Sequence, residues 1–211
     1  MLKKFLRHEK GITGLETAII LIAFVVVAAV FAYTALSAGL FSTQKSQEAV
    51  YSGLKEAQST LELRGGVVAV ASTTGSAGTI GQIKFTVANV LGGEPVDFTE
   101  PYDDADNNGV ADDDSVNVIV LNYQDSAQTK DDLYWTITKL GNADTDNLLE
   151  SNERFEIAVG GSGGTGDLVD ALTSDLSVKT TFNIELLTPG GATLHIERTT
   201  PAWIDTIVNL R

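Results

Sequence analysis

The sequence predicts an α+β protein: a long N-terminal hydrophobic α-helix followed by an antiparallel, immunoglobulin-like β-sandwich. Three observations indicate this fold class. No charged side chain occurs from Thr17 to Gln44. An amphipathic pattern then continues to residue 64, and the residues after it alternate as half-buried strands do. The predicted divisions are a basic leader at 1–11, a helix at 12–64 and a β-domain at 65–211.

The apolar run is long enough to cross a membrane. A helix from Thr17 to Gln44 rises about 40 Å, whereas the hydrocarbon core of a bilayer is roughly 30 Å thick. Residues 18–38 are apolar on every side, which is typical of a helix in lipid or in the middle of a packed assembly. The basic residues before the run predict a cytoplasmic amino end and an exported remainder.

Beyond the run, the helix becomes amphipathic. Val50, Leu54, Ala57 and Leu61 recur at helical spacing, and Gly65-Gly66 is the predicted stop. The β-domain that follows is expected to contain about seven antiparallel strands, with a Thr-Pro-Gly-Gly turn at 188–191 between the last two. The predicted strands are 67–71, 83–87, 116–123, 133–137, 155–159, 178–186 and 193–198.

A processing signal precedes the apolar run. Four basic residues lie within the first ten positions, and Gly11 follows the last of them, Lys10. A cut between Gly11 and Ile12 removes the basic leader but leaves the apolar helix on the protein, whereas an ordinary secretory signal loses its apolar part. The candidate processing residues are Lys10, Gly11 and Ile12.

The block from Lys10 to Tyr33, KGITGLETAIILIAFVVVAAVFAY, resembles the archaellins, the filament subunits of the archaeal motility organelle. The block covers only the first part of the chain, and the closing segment 197–204, ERTTPAWI, agrees with the same family. The resemblance implies a type IV pilin-like class III signal peptide, which a prepilin-type signal peptidase cuts after Gly11. It also implies an extracellular helical homopolymer, with or without sister archaellins, that forms from a precursor in the cell membrane.

The candidate assembly residues lie on the apolar helix. Small alanines let helix backbones approach, and a bundle of such helices is about as apolar as lipid, so a subunit can move from one to the other. Glu16 would be the fifth residue after the cut, where the similarity to type IV pilins implies pairing with a neighbour's new amino terminus. The alternative is a simple interaction with the helix dipole. The candidates are Glu16, Ile19, Ala23, Phe24, Ala28, Phe31 and Tyr33.

Composition fits an exported, solvent-exposed protein. The formal net charge is −14, and removal of residues 1–11 takes away four basic groups and Glu9, a net +3, which leaves about −17. Such acidity makes nucleic acid an unsuitable partner and keeps the surface solvated. The chain has no cysteine, so there is no disulfide framework.

One acidic segment has a calcium-loop pattern. Counting from Asp104, oxygen donors fall at positions 1, 3, 5 and 9, and Gly109 stands at position 6. Ser115 replaces the bidentate Glu of an EF-hand at position 12, and strands flank the segment. The candidate ligands for Ca²⁺ or another divalent cation are Asp104, Asp106, Asn108 and Asp112; a solvated acidic turn is the alternative. A second acidic stretch, 144–153, is interpreted as polar residues that cap a loop.

No catalytic group is predicted. Residues 161–166 match a dinucleotide-binding glycine pattern, but no βαβ unit surrounds them, and His8 and His195 are too isolated to form a catalytic pair. We therefore predict a non-enzymatic structural subunit that requires no cofactor. Two alternatives remain: an adhesive type IV-like archaeal pilin, and a single-pass membrane protein with an external domain.

Overall fold

The computed structural model describes residues 9–58, 61–90, 93–102, 107–112, 114–161 and 166–210, with helix side chains from 14 to 54. The chain divides into two compact units, one up to Ser52 and the other from Gly53 onwards. The elements are α1 Glu9–Gln58, β1 Leu61–Leu63, β2 Val67–Thr73, β3 Thr79–Asn89, β4 Val96–Asp97, β5 Val120–Asp125, β6 Thr129–Lys130, β7 Trp135–Leu140, β8 Leu148–Leu149, β9 Arg154–Val159, α2 Leu168–Ala171, β10 Thr181–Leu187, β11 Thr193–Thr199 and β12 Ile207–Leu210.

The helix α1 is 50 residues long, and at 1.5 Å per residue it extends about 75 Å. Its alanines and leucines favour helix, and no proline interrupts it, although the many β-branched Ile and Val residues have lower helix propensity. Its end differs from the prediction, since the helix ends at Gln58 rather than at residue 64. Leu61, which fits the helical stripe, instead belongs to β1 and is 9% exposed in the core of the β-domain.

The first two strands lie end to end along β3. Leu63 pairs with Val87 at one end of β3, and Val68 pairs with Lys84 further along it. Between them Gly65 has φ +90°, a conformation that glycine adopts without steric cost. The Gly65-Gly66 pair therefore separates the two strands that pair with β3, and the prediction that it stops the helix is wrong.

The described part of the β-domain has two larger antiparallel sheets, which share one hydrophobic core, and a two-stranded sheet of β4 and β8. The larger has the order β12-β2-β3-β9-β7, with β1 also paired to β3, and the smaller has the order β11-β10-β5-β6. Phe85 and Ile157 from the larger sheet join Leu121 and Ile184 from the smaller one in the same buried cluster. The predicted α+β fold, a long helix followed by antiparallel sheets, is confirmed.

Three aromatic side chains pack against one another in one part of this core. The Phe98 ring packs edge-to-face on Trp135, with centroids 6.0 Å apart, and on Phe155 at 5.7 Å. All three side chains are fully buried. Edge-to-face pairs add to the stability that burial provides, so this group ties the loop after β4 to β7 and β9.

Candidate assembly surface

The surface of α1 is apolar and uncovered. Every described side chain from Gly14 to Leu54 is exposed within the chain, including Ile19 at 58%, Phe24 at 73% and Phe31 at 70%. Soluble monomers rarely expose a continuous apolar surface of more than a few hundred Å². The helix is also long and apolar enough to span a membrane, by length and composition. It therefore requires lipid or other helices around it.

The seven candidate assembly residues all lie on this exposed helix, and helical geometry separates them into two faces. Glu16, Ile19 and Ala23 follow an i, i+3, i+7 spacing on one face. A second face has i, i+4, i+7 spacing and consists of Phe24, Ala28 and Phe31; Tyr33 lies off both. A subunit surrounded by copies of itself would use both faces.

The polar side chains of the run are suited to an apolar environment. The Thr34 hydroxyl donates to the Phe31 carbonyl at 2.9 Å, and the Thr43 hydroxyl donates to the Leu40 carbonyl at 2.9 Å. Such bonds satisfy hydroxyl donors where no water is present. The apolar stretch ends at Lys45, whose ammonium lies 2.6 Å from the Glu48 carboxylate.

The predicted metal ligands are only partly within the described residues. Asp104 and Asp106 lie outside them. The Asn108 side-chain oxygen accepts a bond from the Val110 N–H at 2.9 Å, and the Asp112 N–H donates to the Tyr102 carbonyl at 2.8 Å. Among the residues that the structure describes, no group of three or more His, Asp or Glu side chains is placed to hold an ion.

The second acidic stretch caps its own loop, as the sequence indicated. The two carboxylate oxygens of Glu153, which is 7% exposed, accept from the N–H groups of Asp144 at 2.9 Å and Glu150 at 3.1 Å. Asp146 accepts from the Leu148 N–H at 2.9 Å. These carboxylates accept hydrogen bonds from backbone N–H groups of the loop, which accounts for the acidity of this loop.

Two aspartates near β6 have shifted pKa values in opposite directions. Burial disfavours the charged form of Asp125, but the hydrogen bonds that its carboxylate accepts outweigh this effect and lower its pKa. Its donors include the Ala127 N–H at 2.6 Å and the buried Tyr123 hydroxyl at 2.8 Å. Burial raises the pKa of Asp132, and the neighbouring Asp131 charge adds to the increase, against a hydrogen bond from Asn117.

His195 contacts a carboxylate on the neighbouring strand. It lies on β11 opposite Glu185 of β10, and its Nδ1 is 3.0 Å from a Glu185 carboxylate oxygen. The glycine-rich stretch is followed by α2, which has only four residues and is capped by Asp167, so no nucleotide-binding helix begins there. Residues 162–165 of that stretch lie outside the described residues.

A cleft that sequence reasoning did not predict opens in the β-domain. Its volume is about 620 Å³, and its polar lining includes Arg64, Thr86, Asn142, Asn152 and Arg154; we call this set the arginine cleft. The register places Arg154 beside Leu140 of β7 and Ala88 of β3, while Arg64 follows β1. Only strand pairing brings these residues together, so no local sequence signal marks the cleft.

A long exposed apolar helix joined to an acidic, cysteine-free β-domain defines a filament-subunit class of protein. The archaeal-type flagellin family model matches residues 11–198. The chain therefore belongs to the archaeal-type flagellin family, whose members are structural subunits of the archaellum filament.

Individual relatives agree over nearly the whole chain. A probable flagellin 1 from Archaeoglobus fulgidus is 38% identical, covering 98% of both chains, and a probable flagellin 1 from Aeropyrum pernix is 34% identical, covering 95% of this chain and 97% of its own. The solved archaeal flagellum of Methanospirillum hungatei strain JF1 superposes with a TM-score of 0.61 at 29% identity, covering 93% of this chain and 98% of its own. The matches give no specific support to the pilin alternative.

Proposed function

We propose that this chain is a structural subunit of the archaeal motility filament, and that it polymerises with copies of itself through α1 outside the cell. The observation that supports this most directly is the exposure of every described side chain of α1. The β-domain, with its acidic loops, would face solvent. Torque would be produced elsewhere and transmitted by the helical array.

The precursor would sit in the membrane before assembly. Its charge-free run is longer than the hydrocarbon core of a bilayer is thick, and the basic leader favours a cytoplasmic amino end. A prepilin-type peptidase would then cut between Gly11 and Ile12. Because a bundle of α1 helices is about as apolar as lipid, the change of environment on assembly costs little, and close packing selects the bundle.

Glu16 needs a partner in such a bundle. A carboxylate at the edge of an apolar helix is costly unless it is paired or near water. After cleavage it is the fifth residue, near the new amino group at Ile12. Pairing with the amino terminus of a neighbouring subunit would satisfy both charges and set the register between subunits.

The amino-terminal sequence and intact mass of the native protein in a sheared extracellular pellet test this proposal. We expect the protein to start at Ile12. The variant Gly11→Val, which places a branched side chain at the cut, should stay in the membrane with residues 1–11 attached, whereas Lys84→Glu on the β-domain should be cleaved normally. A pelleted protein that starts at Met1, or a soluble one that starts near Ala38, would contradict the proposal.

The calcium-loop pattern remains a prediction. We propose that Asp104, Asp106, Asn108 and Asp112 bind Ca²⁺ or another divalent cation, in which case saturation would stabilise the fold by about 2.7 kcal/mol at one hundred times Kd. Chelation should then lower the melting temperature of the native filament, and added Ca²⁺ should restore it. The Asp104→Asn/Asp106→Asn variant should not respond to chelator; an equal response from this variant would assign the effect to another site.

A further inference from the structure

The arginine cleft is positively charged in a strongly acidic molecule. The chain carries 28 acidic against 14 basic residues, four of which are in the leader. Arg154 is exposed and forms no ion pair within the described part of the chain. The Arg64 guanidinium lies 2.9 Å from the Glu62 carboxylate, but both side chains are about half exposed, so this pair is weak and open to exchange.

A buried amide lies next to the cleft. Asn89, which is only 6% exposed, lines a neighbouring depression together with Arg64, Asn152, Arg154 and the carboxylate residue Glu153, whose two oxygens already accept backbone N–H groups. Its side-chain nitrogen donates to the Glu94 and Leu149 carbonyls, whereas its buried side-chain oxygen has no partner among the described residues. This oxygen is covered by the chain itself, so the contact surface that the cleft offers is formed by the two exposed arginines.

A second surface lies at the other end of β7. The Ala111 N–H donates to the Asp132 carbonyl at 2.9 Å, and Val110 bridges to Leu133, just before β7 begins. The Ser115 hydroxyl accepts from the Tyr102 N–H at 2.9 Å. We call the exposed side chains here the acidic edge; they are Tyr102, Asp114, Val116 and Asp131.

The acidic edge combines apolar and acidic groups. Tyr102 is 50% exposed and Val116 is 60% exposed, and the exposed Asp114 and Asp131 belong to the same edge. An exposed apolar patch with a charged rim is typical of a protein interaction surface. Arginine binds carboxylates in a bidentate way and also stacks on aromatic rings, so a cleft with two arginines is chemically complementary to this edge.

We propose that the acidic edge of one subunit docks on the arginine cleft of the next copy of this chain. The proposal rests on the proposed function, since it requires a filament. The six residues of β7 separate the two surfaces by roughly 20 Å, so the contact joins different patches on the two partners. Such a heterologous contact extends into an open helix wherever its rotation does not close into a ring, as a filament requires. It also places cations where acidic subunits would otherwise repel one another.

Charge reversal and charge exchange test this contact. The variant Arg64→Glu/Arg154→Glu should reduce the number of filaments on the producing cells by about tenfold or more, because close interfacial charge pairs are strongly coupled. The control Lys84→Glu/Lys179→Glu changes the net charge equally at residues outside both surfaces and should assemble normally. Adding Asp114→Arg/Asp131→Arg to the arginine variant restores opposite charges in every contact, and should bring filament numbers back to within about threefold of wild type.

Each result has one interpretation. A fourfold-substituted variant that assembles no better than the arginine variant, or a control that fails equally, would overturn the docking proposal. The unfolding temperature of each precursor in detergent should equal that of wild type, and a loss of stability that parallels the loss of filaments would also overturn it. If wild-type protein forms no filament, the proposed function itself fails. If wild type and the arginine variant assemble equally, only the docking contact is refuted.

Discussion

Replacement of Phe98 by alanine is expected to lower the free energy of unfolding of the β-domain by about 3–5 kcal/mol. The side chain is fully buried, and it makes edge-to-face contacts with Trp135 and Phe155. Alanine loses the burial of the ring and leaves a cavity that rigid neighbours on β7 and β9 cannot fill. Because total stabilities are commonly about 5–15 kcal/mol, such a loss removes much of the stability of the domain.

Urea unfolding of the full chain in mild detergent measures this effect, and Trp135 fluorescence reports it next to the substituted residue. Phe98→Leu is the matched control and should cost less than about 1.5 kcal/mol, because it keeps most of the volume. Trp203→Ala, at a residue that is 58% exposed, should change stability by less than about 0.5 kcal/mol. A loss below about 1 kcal/mol for Phe98→Ala would mean that the core repacks around the gap.

The parts of the fold that could be predicted are those with strong local signals. A charge-free run of 28 residues indicates a helix without any knowledge of tertiary contacts. The alternation in 67–71, 155–159 and 193–198 predicts β2, β9 and β11. In the structure β9 begins at Arg154, one residue before the predicted start. At 116–123 the prediction started early, since β5 begins at Val120, although Val116 and Val118 continue the same alternation as exposed residues.

The remaining elements depend on long-range contacts. Leu61 continues a helical stripe and also alternates with Leu63, so the local pattern suits both structures; pairing with Asn89 of β3 decides for a strand. Strands β4 and β8 have two residues each, too short to predict, and the Asn89 side chain bonds the Leu149 carbonyl of β8. The edge strand β12 follows the segment 197–204. It pairs with β2, and most of the sequence of the β-domain lies between these two strands.

The candidate surfaces differ in the same way in how far the sequence predicts them. The helix α1 could be predicted because its apolar residues lie in one continuous segment. The arginine cleft could not be predicted, since Arg64 and Arg154 are 90 positions apart and meet only through the pairing of β1, β3 and β9. A sequence locates a surface that one helix carries, but it does not locate one that the turns and edges of a sheet assemble.

The second large effect is expected at Phe31, where substitution by aspartate should abolish filaments without preventing membrane insertion. Phe31 lies near the middle of the charge-free run and is 70% exposed on α1. One aspartate at the centre of a membrane helix costs about 2.5–3.5 kcal/mol on insertion scales, which the many apolar residues around it offset. A bundle of α1 helices allows neither local thinning nor access for water, so the same carboxylate would be buried there without a partner, once per subunit along the filament.

Fractionation and electron microscopy of the producing cells separate these two steps. The Phe31→Asp protein should be found in the membrane, processed to Ile12, with no filament in the sheared pellet. Phe31→Leu should assemble nearly as wild type. Thr43→Asp changes a residue near Lys45, at the end of the apolar stretch, and should reduce the number of filaments much less than Phe31→Asp does. Filaments of normal number built from Phe31→Asp subunits would show that this face of α1 remains in contact with water after assembly. That result would remove Phe31 from the packing surface and leave the neighbouring face, with Glu16, Ile19 and Ala23, to form it.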